Sequence, residues 1–157
     1  MKGKPVRESI VEMIQIVRPD DANPLGIAFG GAVVAWIDSA AAVAAMRHAR
    51  MPVVTASIDS LSFLHPIQIG EFVVIKAAVH YVGTTSMEVG VSIESENPMT
   101  GERKKTTSGY LTFVALGSDG RPTAIPPVIP ETAEEKMQYE EAKKHREYKL
   151  KLREELR

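Results

Sequence analysis

The residues from Ala28 to Met46 are almost all small or apolar, and this stretch constrains the fold more than any other part of the chain. Its length approaches the roughly 20 apolar residues that a helix needs to cross a bilayer. However, Asp38 lies at its centre, and a charge at the bilayer midplane costs about 2.5 kcal/mol or more. The sequence therefore predicts a helix buried in a protein core, without membrane insertion.

The predicted helix runs from Phe29 to Arg50. It is rich in alanine, which is a strong helix former, and Pro52 ends it. Arg47 and His48 lie near its C-terminus, where cations suit the helix dipole. Since the helix is apolar on nearly all sides, we expect other elements to surround it.

Five further segments have the composition and alternation of strands, one before the helix and four after it. If the four later strands form a meander, a curled antiparallel sheet around the helix buries the apolar surfaces most economically. The predicted class is therefore α+β, in the arrangement of the hotdog fold: about five strands around one long central helix, plus a C-terminal helix. The predicted strands are Ser9–Arg18, Val53–Phe63, Phe72–Tyr81, Ser86–Glu96 and Lys104–Leu116.

The C-terminal part of the chain differs in character. Three prolines between residues 126 and 130 predict no regular structure there, and a polar helix follows with Thr132 as its N-cap. We interpret this helix as solvated, with a partner-binding helix as the alternative, because its apolar stripe is thin. The predicted organisation is a domain over residues 8–130 and a helix over residues 131–157. The stripe consists of Tyr148, Leu152 and Leu156.

Charge and composition exclude several classes of protein. A net charge of −1 gives no reason to expect a nucleic acid or an anionic membrane as partner. The absence of cysteine removes disulfides, thiolate metal sites and a cysteine nucleophile, and it suits a cytoplasmic location. The four histidines lack metal-binding spacing, so we expect no metal site. The glycine motifs of serine hydrolases and nucleotide-binding proteins are also missing.

Two polar residues, Asn23 and Asp38, stand out in the first third of the chain. Asn23 precedes Pro24 and is, taken alone, typical of a turn. Asp38 lies in an apolar helix, and burying a carboxylate without a partner is costly. Its residue context leaves two roles open, which are pairing with another group and catalysis.

A longer pattern extends from these residues across most of the chain. The stretch Pro19–Asp38 (PDDANPLGIAFGGAVVAWID) resembles the start of the acyl-CoA thioesterase family with a hotdog domain, which includes the brain-type acyl-CoA hydrolases and their small bacterial relatives. The resemblance covers roughly residues 10–132. Many blocks in one order make it more specific than any single motif. The further blocks are Arg47–His48, Val54–Ser57, Phe63–Ile67, Gly70, Val82–Val89, Thr112–Leu116, Gly120–Pro122 and Pro126–Thr132.

The resemblance implies an enzyme that hydrolyses acyl-CoA to a free acid and CoA, with no cofactor apart from the CoA of its substrate and product. It also implies a homodimer, assembled further into a trimer of dimers. By position, Asn23 and Asp38 match the catalytic asparagine and aspartate of the family. Two other segments match CoA-contacting positions, with a polar strand edge and a tight turn as the alternative interpretations. These segments consist of Thr55, Ala56, Ser57, Thr84, Thr85 and Ser86.

Thioester hydrolysis needs chemical groups that these residues carry. The amide of Asn23 and the backbone N–H of Gly31 would donate to the carbonyl oxygen as it becomes negative, and one such donor is typically worth about 3–4 kcal/mol. Gly30 would leave room for the substrate. Asp38 would activate water as a general base, with direct attack through an anhydride as the alternative.

The spacing of these residues also predicts an assembly. Asp38 lies eight residues into the helix, which corresponds to about 12 Å along its axis. It is therefore too far from Asn23 of its own chain, whereas an antiparallel helix of a second chain would bring its Asp38 close. We expect a shared active site at a dimer interface, two per dimer.

Two other functions have less support in the sequence. Hotdog hydratases pair an aspartate with a histidine about five residues later, but residues 39–46 are small or apolar. A non-catalytic acyl-CoA sensor would carry a fused regulatory domain, for which 157 residues leave no room.

Overall fold

The computed structural model describes residues 1–156 and shows one long helix against the inner face of a curled, five-stranded antiparallel sheet. A second long helix packs on the outer face. This confirms the predicted α+β hotdog arrangement. The elements are β1 (Lys4–Pro5), β2 (Val11–Ile16), α1 (Gly30–Ala49), β3 (Val53–Ile58), β4 (Phe72–Val82), β5 (Ser86–Glu96), β6 (Arg103–Ala115), β7 (Val128–Ile129) and α2 (Ala133–Glu155).

The strand order of the main sheet is β2–β4–β5–β6–β3. Strands β4, β5 and β6 form the predicted meander, but the prediction that β3 belongs to it is wrong. β3 pairs with β6 at the far edge instead, because α1 carries the chain across the inner face from the β2 edge. Residues 59–71 then return the chain to β4.

The inner face of the sheet is apolar and closely packed. Side chains that alternate along the central strands are buried beneath α1. The helix opposes them mainly with alanine, whose small side chain lets the backbone come close to the sheet. No helix in residues 1–156 combines the length and the hydropathy needed to cross a membrane. The fully buried residues of this interface include Ala40, Ala41, Ala44, Ala45, Val79, Val89, Leu111 and Phe113.

Strand β3 is shorter than predicted and contains a bulge. It ends at Ile58 rather than Phe63, and beyond this end Leu61 lies over Gly109 of β6. A Cβ at Gly109 would lie 2.5 Å from Leu61 Cδ2, so a larger residue there would displace the Leu61 side chain. Within β3, the register with β6 shifts between Thr55 and Ser57, which makes the residue between them the extra residue of the bulge.

The proline-rich segment forms a short strand, contrary to the prediction of no regular structure. Val128–Ile129 pairs in parallel with Lys4–Pro5. Pro127 takes part in this pairing through its carbonyl, which accepts the Lys4 N–H at 2.9 Å. A missing proline N–H therefore does not prevent it.

Helix α2 begins at the predicted cap but packs differently from the prediction. The Thr132 hydroxyl accepts the Glu135 N–H at 3.0 Å, and the Glu135 carboxylate accepts the Thr132 N–H at 3.3 Å. The helix is not merely solvated, because Ala142 is fully buried and the helix contacts β4 and β5. The predicted apolar stripe lies on its exposed side, with Tyr148 61% exposed. Arg157, the last residue of the predicted helix, lies outside the described residues.

Candidate active site

The loop that precedes α1 folds around the side chain of Asn23. Its Oδ1 accepts N–H groups from Leu25 at 2.9 Å and from Ile27 at 3.4 Å. Because an N–H donates only to an acceptor, these two donors show which end of the Asn23 amide is the oxygen and which is the nitrogen Nδ2. Nδ2 has no acceptor among residues 1–156. The oxygen of Asn23 therefore closes the turn, while its amide N–H₂ remains free to donate.

Helix α1 begins beside this loop without a capping side chain. Phe29 is the N-cap residue and makes no side-chain cap, and the N–H groups of Gly30 and Gly31 have no acceptor among the described residues. A Cβ at Gly31 would lie 2.8 Å from the Phe29 ring, whereas the space beside Gly30 is open. The start of α1 thus presents unpaired N–H groups at the positive end of the helix dipole.

Asp38 lies in the middle of α1, where the helix faces β3. Thr55 Oγ1 donates to Asp38 Oδ1 at 2.7 Å. Asp38 Oδ2 makes no hydrogen bond within residues 1–156. The hydroxyl therefore orients the half-buried carboxylate and leaves one of its oxygens available.

The bulge in β3 separates the side chains of the first predicted CoA segment. Thr55 faces α1, but the Ser57 hydroxyl accepts a hydrogen bond from Lys149 Nζ at 3.0 Å beneath α2. Ala56 lies between them and is exposed at the sheet edge. The structure therefore places the Ser57 hydroxyl on the face opposite to Asp38.

The second predicted CoA segment is the tight turn between β4 and β5. The Thr84 carbonyl accepts the Ile125 N–H at 3.0 Å, and the Thr85 carbonyl accepts the Ala115 N–H at 3.2 Å. Thr84 is exposed, whereas Ser86 is buried. Only the tip of this turn can therefore reach a ligand through its side chains.

Within one chain, these residues form separate groups along α1. Asn23 lies with Gly30 and Gly31 at its start, and Asp38 pairs with Thr55 at its middle. Among residues 1–156 no hydrogen bond joins Asn23 to Asp38. The two groups lie about 12 Å apart along the helix axis at 1.5 Å per residue.

A polar cluster beneath α2 is absent from the sequence predictions. Lys149 Nζ donates to Thr112 Oγ1 at 2.6 Å, and it lies 3.0 Å from Asp59 Oδ1 and 3.8 Å from Glu88 Oε2. Glu88 is 1% exposed, and desolvation raises the pKa of its carboxyl above the ordinary value, against the lowering effects of the Thr112 hydrogen bond and of Lys149. The one signal in the sequence is the spacing of Ala142 and Lys149, which puts them on one face of α2.

His145 extends this cluster. Its Nε2 lies 2.6 Å from Asp59 Oδ2, and its ring stacks on Tyr110 with 5.1 Å between the ring centroids. Within the part of the chain that the structure describes, no group of three histidine or carboxylate side chains has the arrangement of a metal site. The cluster thus consists of ion pairs and hydrogen bonds between α2 and the sheet.

The chain is similar in sequence to known thioesterases. The model of the thioesterase superfamily matches residues 25–102. The chain is 46% identical over 131 residues to the uncharacterised acyl-CoA thioester hydrolase YkhA of Bacillus subtilis, and the match covers 83% of this chain and 76% of that protein. The chain therefore belongs to the thioesterase superfamily.

Solved structures resemble the whole chain. An apo-hexameric acyl-CoA thioesterase is 44% identical with a TM-score of 0.94, and the match covers 100% of both chains. An acyl-CoA hydrolase from Staphylococcus aureus, in complex with butyryl-CoA, CoA and CoA disulfide, is 41% identical with a TM-score of 0.91 over 97% of this chain and 93% of that one. Three mutant structures of the same hydrolase each replace one residue by alanine, namely an aspartate, an asparagine and a threonine. Their spacing in that chain equals the spacing of Asn23, Asp38 and Thr55 here.

Proposed function

We propose that this protein hydrolyses acyl-CoA thioesters to a free carboxylic acid and CoA. The observation that carries the proposal is the orientation of Asn23, whose amide donor is left free next to the uncapped start of α1. A thioester carbonyl placed there would meet N–H groups as it gains negative charge. The Bacillus and Staphylococcus relatives, which are acyl-CoA hydrolases by name, support this choice of substrate.

Asn23 Nδ2 and the Gly31 N–H would stabilise the oxyanion. Asp38, oriented by Thr55 through Oδ1, would take a proton from water with Oδ2, and the resulting hydroxide would attack the thioester carbon. The tetrahedral intermediate would then expel CoA as its thiolate. Direct attack by Asp38 through an anhydride uses the same geometry and remains the alternative.

The distance along α1 supports an active site shared by two chains. Asn23, Gly30 and Gly31 of one chain would face Asp38 of the partner subunit across a homodimer, and the exposed edge of β3 offers a surface for that contact. The hexameric relative supports further assembly into a trimer of dimers. Each dimer would contain two active sites.

We assign the CoA contacts chiefly to exposed groups. Thr55, Ala56, Thr84 and Thr85 would contact CoA with side chains or backbone, whereas Ser57 and Ser86 would contribute backbone groups, since one hydroxyl is engaged by Lys149 and the other residue is buried. CoA would enter only as part of substrate and product, with no metal or other cofactor. A cytoplasmic location agrees with the absence of cysteine.

Release of free CoA thiol from acetyl-, butyryl- and palmitoyl-CoA tests the proposal. We expect release by the wild type and a loss of at least about 100-fold in kcat for Asp38→Asn, since the amide cannot act as a base. Asp119→Asn, in an exposed turn, is the matched control and should keep full activity. No release by the wild type from any chain length would contradict the enzyme, and tight binding without release would indicate a non-catalytic acyl-CoA sensor. An Asp38→Asn variant with full activity would contradict the assignment of the base alone.

A further inference from the structure

The side chain of Lys149 reaches from α2 to the back of β3, the strand that carries Thr55. Its ammonium lies 3.0 Å from Ser57 Oγ and 3.0 Å from Asp59 Oδ1, and it donates to Thr112 Oγ1 at 2.6 Å. The side chain is 14% exposed. A lysine so placed makes directional contacts in a region that is largely shielded from water, where such contacts are strong.

Two hydrogen bonds hold β3 on opposite faces of the sheet, one on each side of the bulge residue Ala56. On the outer face, Ser57 accepts from Lys149; on the inner face, Thr55 donates to Asp38. The bulge breaks the register between Thr55 and Ser57, and within the described residues β6 is the only strand that pairs with β3. The backbone pairing is therefore disrupted locally, at the residue between Thr55 and Ser57.

Other charged groups around Lys149 cannot replace this contact. His145 and Arg146 of α2 approach Asp59 and Glu88, respectively, but they have no hydrogen bond to β3. Asp59 follows the strand and Glu88 belongs to β5. Lys149 is thus the one side chain of α2, within residues 1–156, that donates to β3.

We propose that Lys149 is a positioning residue for the active site. It holds Ser57 and thereby fixes the bulge in the form that directs the Thr55 hydroxyl to Asp38. This inference rests on the proposed function only insofar as Asp38 is the base; the effect on the shape of β3 does not depend on it. The C-terminal helix then contributes to the site from the opposite face of the sheet without contacting the substrate.

A double-mutant cycle in kcat tests this inference. Lys149→Met keeps the apolar stem and removes the ammonium, and we expect kcat to fall about tenfold. In a Thr55→Ala background the same substitution should change kcat by less than about twofold, because the hydroxyl that Lys149 positions is gone. Ser57→Ala, which removes one hydroxyl, should reproduce the loss of kcat if Lys149→Met fails to fold. Lys151→Met, on the exposed side of the same helix, is the control and should match the wild type.

Amide hydrogen exchange of residues 53–58 supplies a readout that is independent of activity. We expect faster exchange in Lys149→Met and Ser57→Ala than in the wild type and in Lys151→Met. Unchanged exchange would overturn the inference even if the wild type proved inactive, which would contradict only the proposed function. An equal loss of kcat with and without Thr55 would also overturn it, since a purely structural lysine lowers activity regardless of that hydroxyl.

Discussion

The two faces of the main sheet are covered by helices of opposite character. On the inner face, α1 packs alanine against Val79, Val89 and Phe113, all of them buried. On the outer face, α2 packs mainly through Lys149 and its polar partners, together with the buried Ala142 and the Tyr139 ring, which lies edge-on to Tyr81. The inner interface of the sheet is therefore apolar, whereas the outer interface consists mainly of ion pairs and hydrogen bonds.

The two interfaces are expected to have different roles: the inner one stabilises the fold, and the outer one positions β3. Apolar burial is roughly proportional to area, about 25 cal/mol per Å², and it is not directional. Ion pairs and hydrogen bonds add little net stability in comparison but require defined atoms at defined distances. We expect the inner face to determine whether the chain folds and the outer face to determine how β3 is held.

The largest loss of stability should follow from Phe113→Ala on the inner face. Removing a fully buried phenylalanine leaves a cavity, and we expect the free energy of unfolding to fall by about 3–5 kcal/mol. Urea unfolding followed by circular dichroism measures this. Val114→Ala, the half-buried neighbour on the same strand, should cost at most about 1 kcal/mol. Equal losses for the two variants would show that the inner face is not the dominant source of stability.

A smaller, pH-dependent effect should follow from Glu88→Gln on the outer face. Desolvation raises the pKa of Glu88 above its ordinary value of 4.5, although Thr112, Lys149 and Arg146 act in the opposite direction. The folded chain therefore holds this proton more tightly than the unfolded chain. The resulting stabilisation is complete below pH 4.5 and is lost as the pH rises through the raised pKa.

The free energy of unfolding of Glu88→Gln should thus increase relative to that of the wild type as the pH is raised from 4.5. Urea unfolding of both proteins at several pH values measures the difference, and groups that titrate in both proteins largely cancel. Parallel curves would mean that Glu88 has no raised pKa in the folded protein.

The same contrast explains which features the sequence could predict. Strands β4, β5 and β6 were predictable because apolar alternation records burial on the inner face. Helix α1 was predictable because its long, alanine-rich and almost wholly apolar stretch is typical of a buried helix. The position of β3 was not, since its partner β6 lies far away in sequence and no local pattern identifies it. The role of α2 was also missed, because Lys149 and Glu88 look like ordinary solvated charges until the fold brings them together.

The candidate site was predictable to a similar extent. Asn23, Asp38 and the glycines at the start of α1 came from one continuous stretch, so a resemblance could identify them. The orientation of the Asn23 amide and the Thr55 contact to Asp38 depend on turn and strand geometry, which only the structure supplies. The opposite directions of Thr55 and Ser57 depend on a bulge that nothing in the sequence indicates.

Thr132→Ala, at the start of α2, should lower the stability of the fold less than Phe113→Ala does. The cap satisfies one N–H of the helix, so its removal should lower the free energy of unfolding by about 1 kcal/mol. Thermal unfolding compares this variant with Thr132→Ser, which keeps the hydroxyl and should lose little. A loss above about 3 kcal/mol would mean that the fold depends on α2 more than its polar interface suggests.

The smallest effect should follow from Arg7→Ala, which breaks the exposed ion pair with Glu131. The side chains are 67% and 47% exposed, so water and salt screen the attraction. We expect the free energy of unfolding to change by less than about 1 kcal/mol, and less again at high salt. A larger change would show that the contact between the segments around Arg7 and Glu131 stabilises the fold more than an exposed ion pair beside two short strands should.

Activity of mixed dimers tests the shared active site directly. Asn23→Ala and Asp38→Ala chains should each be inactive alone, whereas verified heterodimers of the two should release CoA thiol at about half the wild-type rate per dimer. Half is expected because one of the two sites then combines an intact Asn23 with an intact Asp38 from the other chain, while the other site lacks both. Heterodimers that stay inactive would contradict the shared site, since every site built within a single chain would still lack one of the two residues.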